Sequence, residues 1–145
     1  MSTNEDLVKR VDWENIKVMN RCAGGHDEQM KGLLKNSKVL AHWNEGDYQG
    51  MVATCVQLND TKEIVIYNDY YGSCSGCDAW EDASDKDALR MCKGLASNAK
   101  IFKNLNECIL FLQKEKYELT EYEWNSCSKK LLEELKALEE KERGL

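Results

Sequence analysis

Tyr48-Gln49-Gly50-Met51-Val52-Ala53-Thr54-Cys55-Val56-Gln57-Leu58, a turn at Asn59-Asp60, and then Glu63-Ile64-Val65-Ile66-Tyr67-Asn68-Asp69-Tyr70-Tyr71 decide the fold of this chain. Both runs are rich in β-branched and aromatic residues, which suit a pleated surface, and the Asn-Asp pair between them is turn chemistry. Successive side chains of a strand point to opposite faces. Tyr48, Val52, Thr54, Val56 and Leu58 therefore share one face, and Met51, Ala53, Cys55 and Gln57 share the other. Apolar character on both sets predicts a central strand covered on both sides. Upstream, Val39-Leu40-Ala41-His42-Trp43 supplies another strand, joined through a turn at Glu45-Gly46-Asp47. Short turns join antiparallel neighbours, so a three-stranded β-meander is expected over about 39–72.

Helical patterns lie on both sides of this meander. Thr3 with Asp6 three residues later has the form of a helix N-cap, and Leu7, Val8, Val11, Ile16, Met19 and Cys22 follow at roughly helical spacing. The spacing predicts one helix over about 4–22, ended by Gly24-Gly25, and a second, short helix capped by Asp27 and carrying Met30, Leu33 and Leu34. Residues 1–38 thus read as a helical hairpin. Beyond the meander, Ser84 with Asp87 caps a helix of about three turns containing Ala88, Leu89, Met91, Cys92 and Leu95. Asn104 or Asn106 caps the next, with Cys108, Ile109, Phe111 and Leu112 facing inward, and Thr120-Glu121-Tyr122-Glu123 opens a long, charged helix over 120–145. The expectation is one α+β domain spanning 1–145. Its three-stranded antiparallel sheet is covered by N-terminal and C-terminal helices, with the loop and helices of about 73–117 between them.

Composition narrows the function. The chain of 145 residues has 26 acidic and 20 basic residues, a formal charge of −6. That balance disfavours nucleic acid as the principal partner, because phosphate attraction needs clustered Lys and Arg, and it favours a protein partner instead. Met1-Ser2-Thr3-Asn4-Glu5-Asp6 lacks the basic start of a secretory signal, and no stretch approaches the roughly 20 apolar residues of a membrane span. A cytoplasmic protein is expected, with its seven cysteines as thiols. Cys55 and Cys108 sit where a small apolar core residue is wanted.

The strongest site candidate is Tyr70-Tyr71-Gly72-Ser73-Cys74-Ser75-Gly76-Cys77-Asp78. Cys74 and Cys77 have the spacing by which a turn aims two thiolates at zinc, with Cys92, Cys108, His26 or His42 as single further ligands. A redox pair is disfavoured by Asp78, Glu81 and Asp82, whose charges oppose a thiolate. The glycines at 72 and 76 allow consecutive amides to face an anion, with Tyr70 or Tyr71 stacking on a base, although no P-loop or dinucleotide signature is present. The simplest alternative is a turn from strand to helix, in which no cofactor is needed and the cysteines are buried as small apolar groups.

In the last helix Trp124, Leu131, Leu138 and Leu145 recur every seven residues, with Cys127 and Leu135 between them. This stripe packs on its own domain, or else it is a partner-docking or self-associating seam through Trp124, Leu131, Leu135 and Leu138. Glu134 and Lys141 interrupt such a seam.

The segment from Tyr48 through Tyr71-Gly72-Ser73-Cys74-Ser75-Gly76-Cys77-Asp78 to Phe102-Lys103-Asn104-Leu105-Asn106-Glu107-Cys108-Ile109-Leu110-Phe111-Leu112 resembles small uncharacterised bacterial and phage proteins in which a strand is followed by Tyr-Gly-Ser/Thr-Cys-Ser-Gly-Cys-Asp. The resemblance covers about residues 48–112 and implies a prokaryotic or phage setting without an activity. The functional expectation is a small acidic, non-enzymatic binding protein, phage-encoded and inhibiting a host defence protein. The alternatives are a binder of small nucleotides or anions through the 72–78 loop and a zinc-stabilised module.

Overall fold

The computed structural model describes residues 1–19, 25–44, 50–71, 84–118, 122–142 and 144. Its centre is β2 (Gly50–Leu58), which pairs antiparallel with β1 (Ser37–Asn44) and with β3 (Ile64–Tyr71), so that Val56 faces Val39 on one side and Val65 on the other. A bulge falls between Val39 and Ala41 on the edge strand β1, where it disrupts the regular ladder. The β2–β3 turn closes through Leu58 N–H to Glu63 O at 2.9 Å and Lys62 N–H to Leu58 O at 2.9 Å. Lys62 takes a left-handed φ of 66° there.

The sheet has four strands rather than three. β4 (Lys100–Phe102) adds to β3, with Phe102 opposite Ile64 and Ile101 opposite Val65, giving the order β1-β2-β3-β4. Three residues are too few to display an alternating pattern, and only the partner strand makes Lys100-Ile101-Phe102 extended.

Both faces are covered, as the two-sided apolar pattern of β2 predicts. One layer consists of α1 (Asn4–Lys9), α2 (Trp13–Met19), α3 (Gly25–Lys31) and α4 (Asp85–Asn98). It buries Leu7, Ile16, Met30, Leu33 and Cys92 against Val52, Val56, Leu58, Val65 and Tyr67. The other consists of α5 (Leu105–Glu118) and α6 (Tyr122–Glu142), which bury Cys108, Ile109, Leu112, Leu131, Leu132 and Leu135 against Ala41, Ala53, Cys55, Ile64 and Ile66. The architecture is α+β with helices on each side of one antiparallel sheet.

The expected helix over 4–22 is broken in two. Its start is the expected capping box: Thr3 Oγ1 accepts from the Asp6 amide at 3.2 Å and the Asp6 carboxylate accepts from the Thr3 amide at 2.9 Å. After Lys9 the chain straightens, because Val11 forms a bridge with Leu34, with Asp12 N–H to Leu33 O at 2.8 Å and Lys35 N–H to Arg10 O at 2.8 Å. These distant backbone partners replace helical ones. Asp12 then starts α2, its carbonyl accepting from the Ile16 amide at 3.0 Å. α3 begins at Gly25, so Asp27 lies inside that helix and is not its cap. Gly32, just past α3, allows a close approach, since a Cβ there would stand 2.2 Å from Asn15 Nδ2.

The later caps follow the sequence. Ser84 Oγ accepts from the Asp87 amide at 3.2 Å, and Asn104 Oδ1 accepts from the Glu107 amide at 2.9 Å. Asn106 is within α5, and Thr120 lies outside the described residues.

Candidate functional site

Strand register determines which segments meet. Asn44 pairs with Val52, and Gly50 pairs with Tyr71, so β1 ends, β2 begins and β3 ends on the same side of the sheet. The connections 45–49 and 72–83 both leave from that side. Tyr70 and Tyr71 are the last two residues of β3; Gly72, Ser73, Cys74, Ser75, Gly76, Cys77 and Asp78 lie outside the described residues.

In sequence, the two connections carry only acidic charges, Glu45 and Asp47 in one and Asp78, Glu81 and Asp82 in the other. Asp85, Lys86 and Asp87 open α4 directly after the second, and Arg90 pairs with Asp87 at 3.4 Å. Neither 39–61 nor 63–85 contains a lysine or arginine. The opposite end carries both signs: Lys38 begins β1, Lys62 occupies the β2–β3 turn between Asp60 and Glu63, and Lys103 follows β4. Arg10 reaches that turn through an ion pair with Asp60 at 2.6 Å. The Arg10 guanidinium holds the Asp60 carboxyl below the usual carboxylate range. Each charge is visible in the sequence, but only the register shows that the two acidic connections leave from the same side of the sheet.

The three described cysteines are packing groups. Cys55, on β2, has its thiol pushed well up by the neighbouring Cys108 thiol and by burial, and both residues are fully buried. Cys92 is pushed up to about 12, chiefly by burial and then by the negative charge of Asp69. A thiol so shifted stays protonated near neutrality and is a poor nucleophile or metal ligand. The sheet also separates Cys92 from Cys108, since they belong to the cores on opposite faces. These two cannot jointly complete a single zinc centre with Cys74 and Cys77. His42 Nδ1 is 2.8 Å from Thr54 Oγ1, its cross-strand neighbour, and Thr54 is fully buried. Among the described residues no three His, Cys, Asp or Glu side chains gather as a metal-binding group.

No family model, curated protein or solved structure matches this chain.

The last helix uses its stripe internally. Leu131 and Leu135 are fully buried, both at 0 % accessibility, packed with Leu132 against Ala53, Cys55 and Ile66. Leu138 is half-buried, and the side chain of Trp124 lies outside the described set. A docking seam through Leu131 and Leu135 would require opening the domain's own core. The physical reason is that β1 and β2 need cover on this face, and α6 supplies it alongside α5. No helix among the described residues is long and apolar enough to cross a membrane.

At the end of the sheet with the β2–β3 turn lies a groove of about 710 Å³ lined by Met1, Ser2, Asp6, Thr61, Glu63 and Lys103. Glu63 is only 5 % exposed. Its Oε2 accepts from the Ser2 amide at 2.8 Å and its Oε1 from the Ser2 hydroxyl at 2.6 Å. Burial alone would raise this carboxyl, but the hydrogen bonds from Ser2 and Thr61 outweigh it and hold Glu63 below the usual carboxylate range. The sequence offered no signal for this contact, which joins residues 61 positions apart.

Proposed function

We propose that this chain is a non-enzymatic protein-recognition module that uses the acidic end of its sheet to dock on a basic face of a partner protein. The observation that supports it is the register that ends β1, begins β2 and ends β3 on one side of the sheet, from which the two connections depart that carry Glu45, Asp47, Asp78, Glu81 and Asp82 and no lysine or arginine in sequence. Opposite potentials across an interface speed encounter and reject wrong partners. Tyr70 and Tyr71 run into this end and supply the aromatic contact area that protein interfaces favour, and the 72–78 loop continues from them. The cytoplasm is the proposed setting. The specific form of the proposal, which draws on the resemblance to bacterial and phage proteins, is a phage-encoded inhibitor of a host defence protein.

Affinity capture with the purified full-length chain, followed by titration of the captured protein, tests the proposal. A basic partner whose affinity falls with added salt, and falls at least about tenfold for Glu81→Lys/Asp82→Lys, supports it. Binding indifferent to both salt and charge reversal overturns it. A nucleotide that raises the melting temperature at micromolar concentration would instead establish the anion pocket on the 72–78 loop. One zinc per purified chain, lost together with the fold in Cys74→Ser, would establish the metal-stabilised module.

A further inference from the structure

The groove at the other end of the sheet is separate from the acidic docking end and does not rest on it. Three chain segments build it: the start of the chain with Ser2 and Asp6, the β2–β3 turn with Thr61 and Glu63, and Lys103 after β4. Because Phe102 pairs with Ile64, Lys103 follows beside Glu63 on the adjoining strand. No ion pair among the described residues engages the Lys103 ammonium, and its backbone N–H is held by Glu107 Oε2 at 3.2 Å. The groove's volume of about 710 Å³ falls in the range of small-molecule sites.

We propose that this groove binds a small zwitterion of the amino-acid or short-peptide type, with its carboxylate on Lys103 and its ammonium between Asp6 and Glu63. The lining selects for that class by sign. A purely anionic ligand meets the Asp6 and Glu63 carboxylates, a purely cationic one meets Lys103 and the Met1 amino group, which itself acts on Glu63, and a molecule bearing both charges satisfies both. Charge-assisted hydrogen bonds to fixed partners give the strongest and most directional contacts of this kind. Glu63 is fixed by its two bonds from Ser2, and Asp6 by its bond from the Thr3 amide. Each carboxylate oxygen keeps a further lone pair for an ammonium donor. The hydroxyls of Ser2 and Thr61 add polar contacts along the same wall.

Nuclear magnetic resonance titration of the full-length chain tests this with the free amino acids and their Ala-Xaa dipeptides as probes. For each dipeptide, the N-acetylated acid and the C-terminal amide of the same body serve as purely anionic and purely cationic controls. The expected result is that at least one zwitterion shifts the amide signals of Ser2, Thr61 and Lys103 while its two controls do not. Lys103→Met, at an exposed position, should then weaken binding by about tenfold or more, the loss of one charged contact, without lowering the melting temperature. Asp6→Asn retains an oxygen to accept from the Thr3 amide and should weaken binding in the same direction. Silence across the panel, equal binding of zwitterion and controls, or unchanged affinity in Lys103→Met overturns the proposal.

Discussion

The phenol of Tyr67, in the middle of β3, donates a hydrogen bond to the main-chain carbonyl of Met30 in α3, and both residues are almost fully buried. Burial also pushes the Tyr67 hydroxyl far above its ordinary range, so it keeps its proton and remains a donor near neutrality. The bond fixes α3 on the sheet and satisfies a carbonyl that water does not reach. Tyr67→Phe leaves that carbonyl unpaired and should destabilise the fold by about 1–3 kcal/mol in denaturant unfolding, with an unchanged m-value.

Leu131 and Leu135 distinguish a core helix from a docking helix. Each is fully buried, so Leu131→Ala or Leu135→Ala should cost about 2–5 kcal/mol of stability. Urea denaturation of the isolated chain gives the answer. Wild-type stability in both variants would mean that α6 does not depend on these contacts and is free to serve a partner.

The Glu63 clasp makes stability depend on acid. Its folded pKa lies below the unfolded value, so its contribution is complete above the unfolded carboxylate range and is lost as pH falls through the folded pKa. Glu63→Gln should therefore be less stable than wild type at pH 7 by about 1.5–3 kcal/mol, the size of a hydrogen bond to a charged group. That difference should shrink as the pH is lowered from 7 through the folded pKa. Paired unfolding curves across this range provide the check, and a gap that widens toward acid would contradict the assignment.

The described thiols should be slow to react. Cys55, Cys92 and Cys108 are buried, and the thiols of Cys55 and Cys92 are pushed up, so an aromatic disulfide reagent at pH 8 should leave these three unmodified in the native protein. All seven should react in denaturant. Peptide mapping after alkylation identifies which sites are protected, and rapid native labelling of Cys55 would show that its core opens readily.

Much of this fold is legible in the sequence because β2 carries apolar residues on both alternating sets, which requires a layer of helices on each side. The caps at Thr3, Ser84 and Asn104 were readable for a similarly local reason, since side chain and amide lie three residues apart. What escaped depends on distant partners. The Val11 bridge to Leu34 interrupts a pattern that is helical on its own terms, and Lys100-Ile101-Phe102 becomes a strand only beside β3. The apolar stripe of α6 was visible, but a stripe does not state which surface covers it. The candidate loop stood out by its cysteines and glycines, whereas the shared side from which the two acidic connections leave and the Ser2–Glu63 contact needed the strand register and the third dimension.

The two acidic connections leave from one side of the sheet, while Lys38 and Lys62 lie toward the other. If a basic partner docks on the first side, as proposed, ionic strength would act on how fast productive collisions occur, even where the lifetime of the finished complex is set by other contacts.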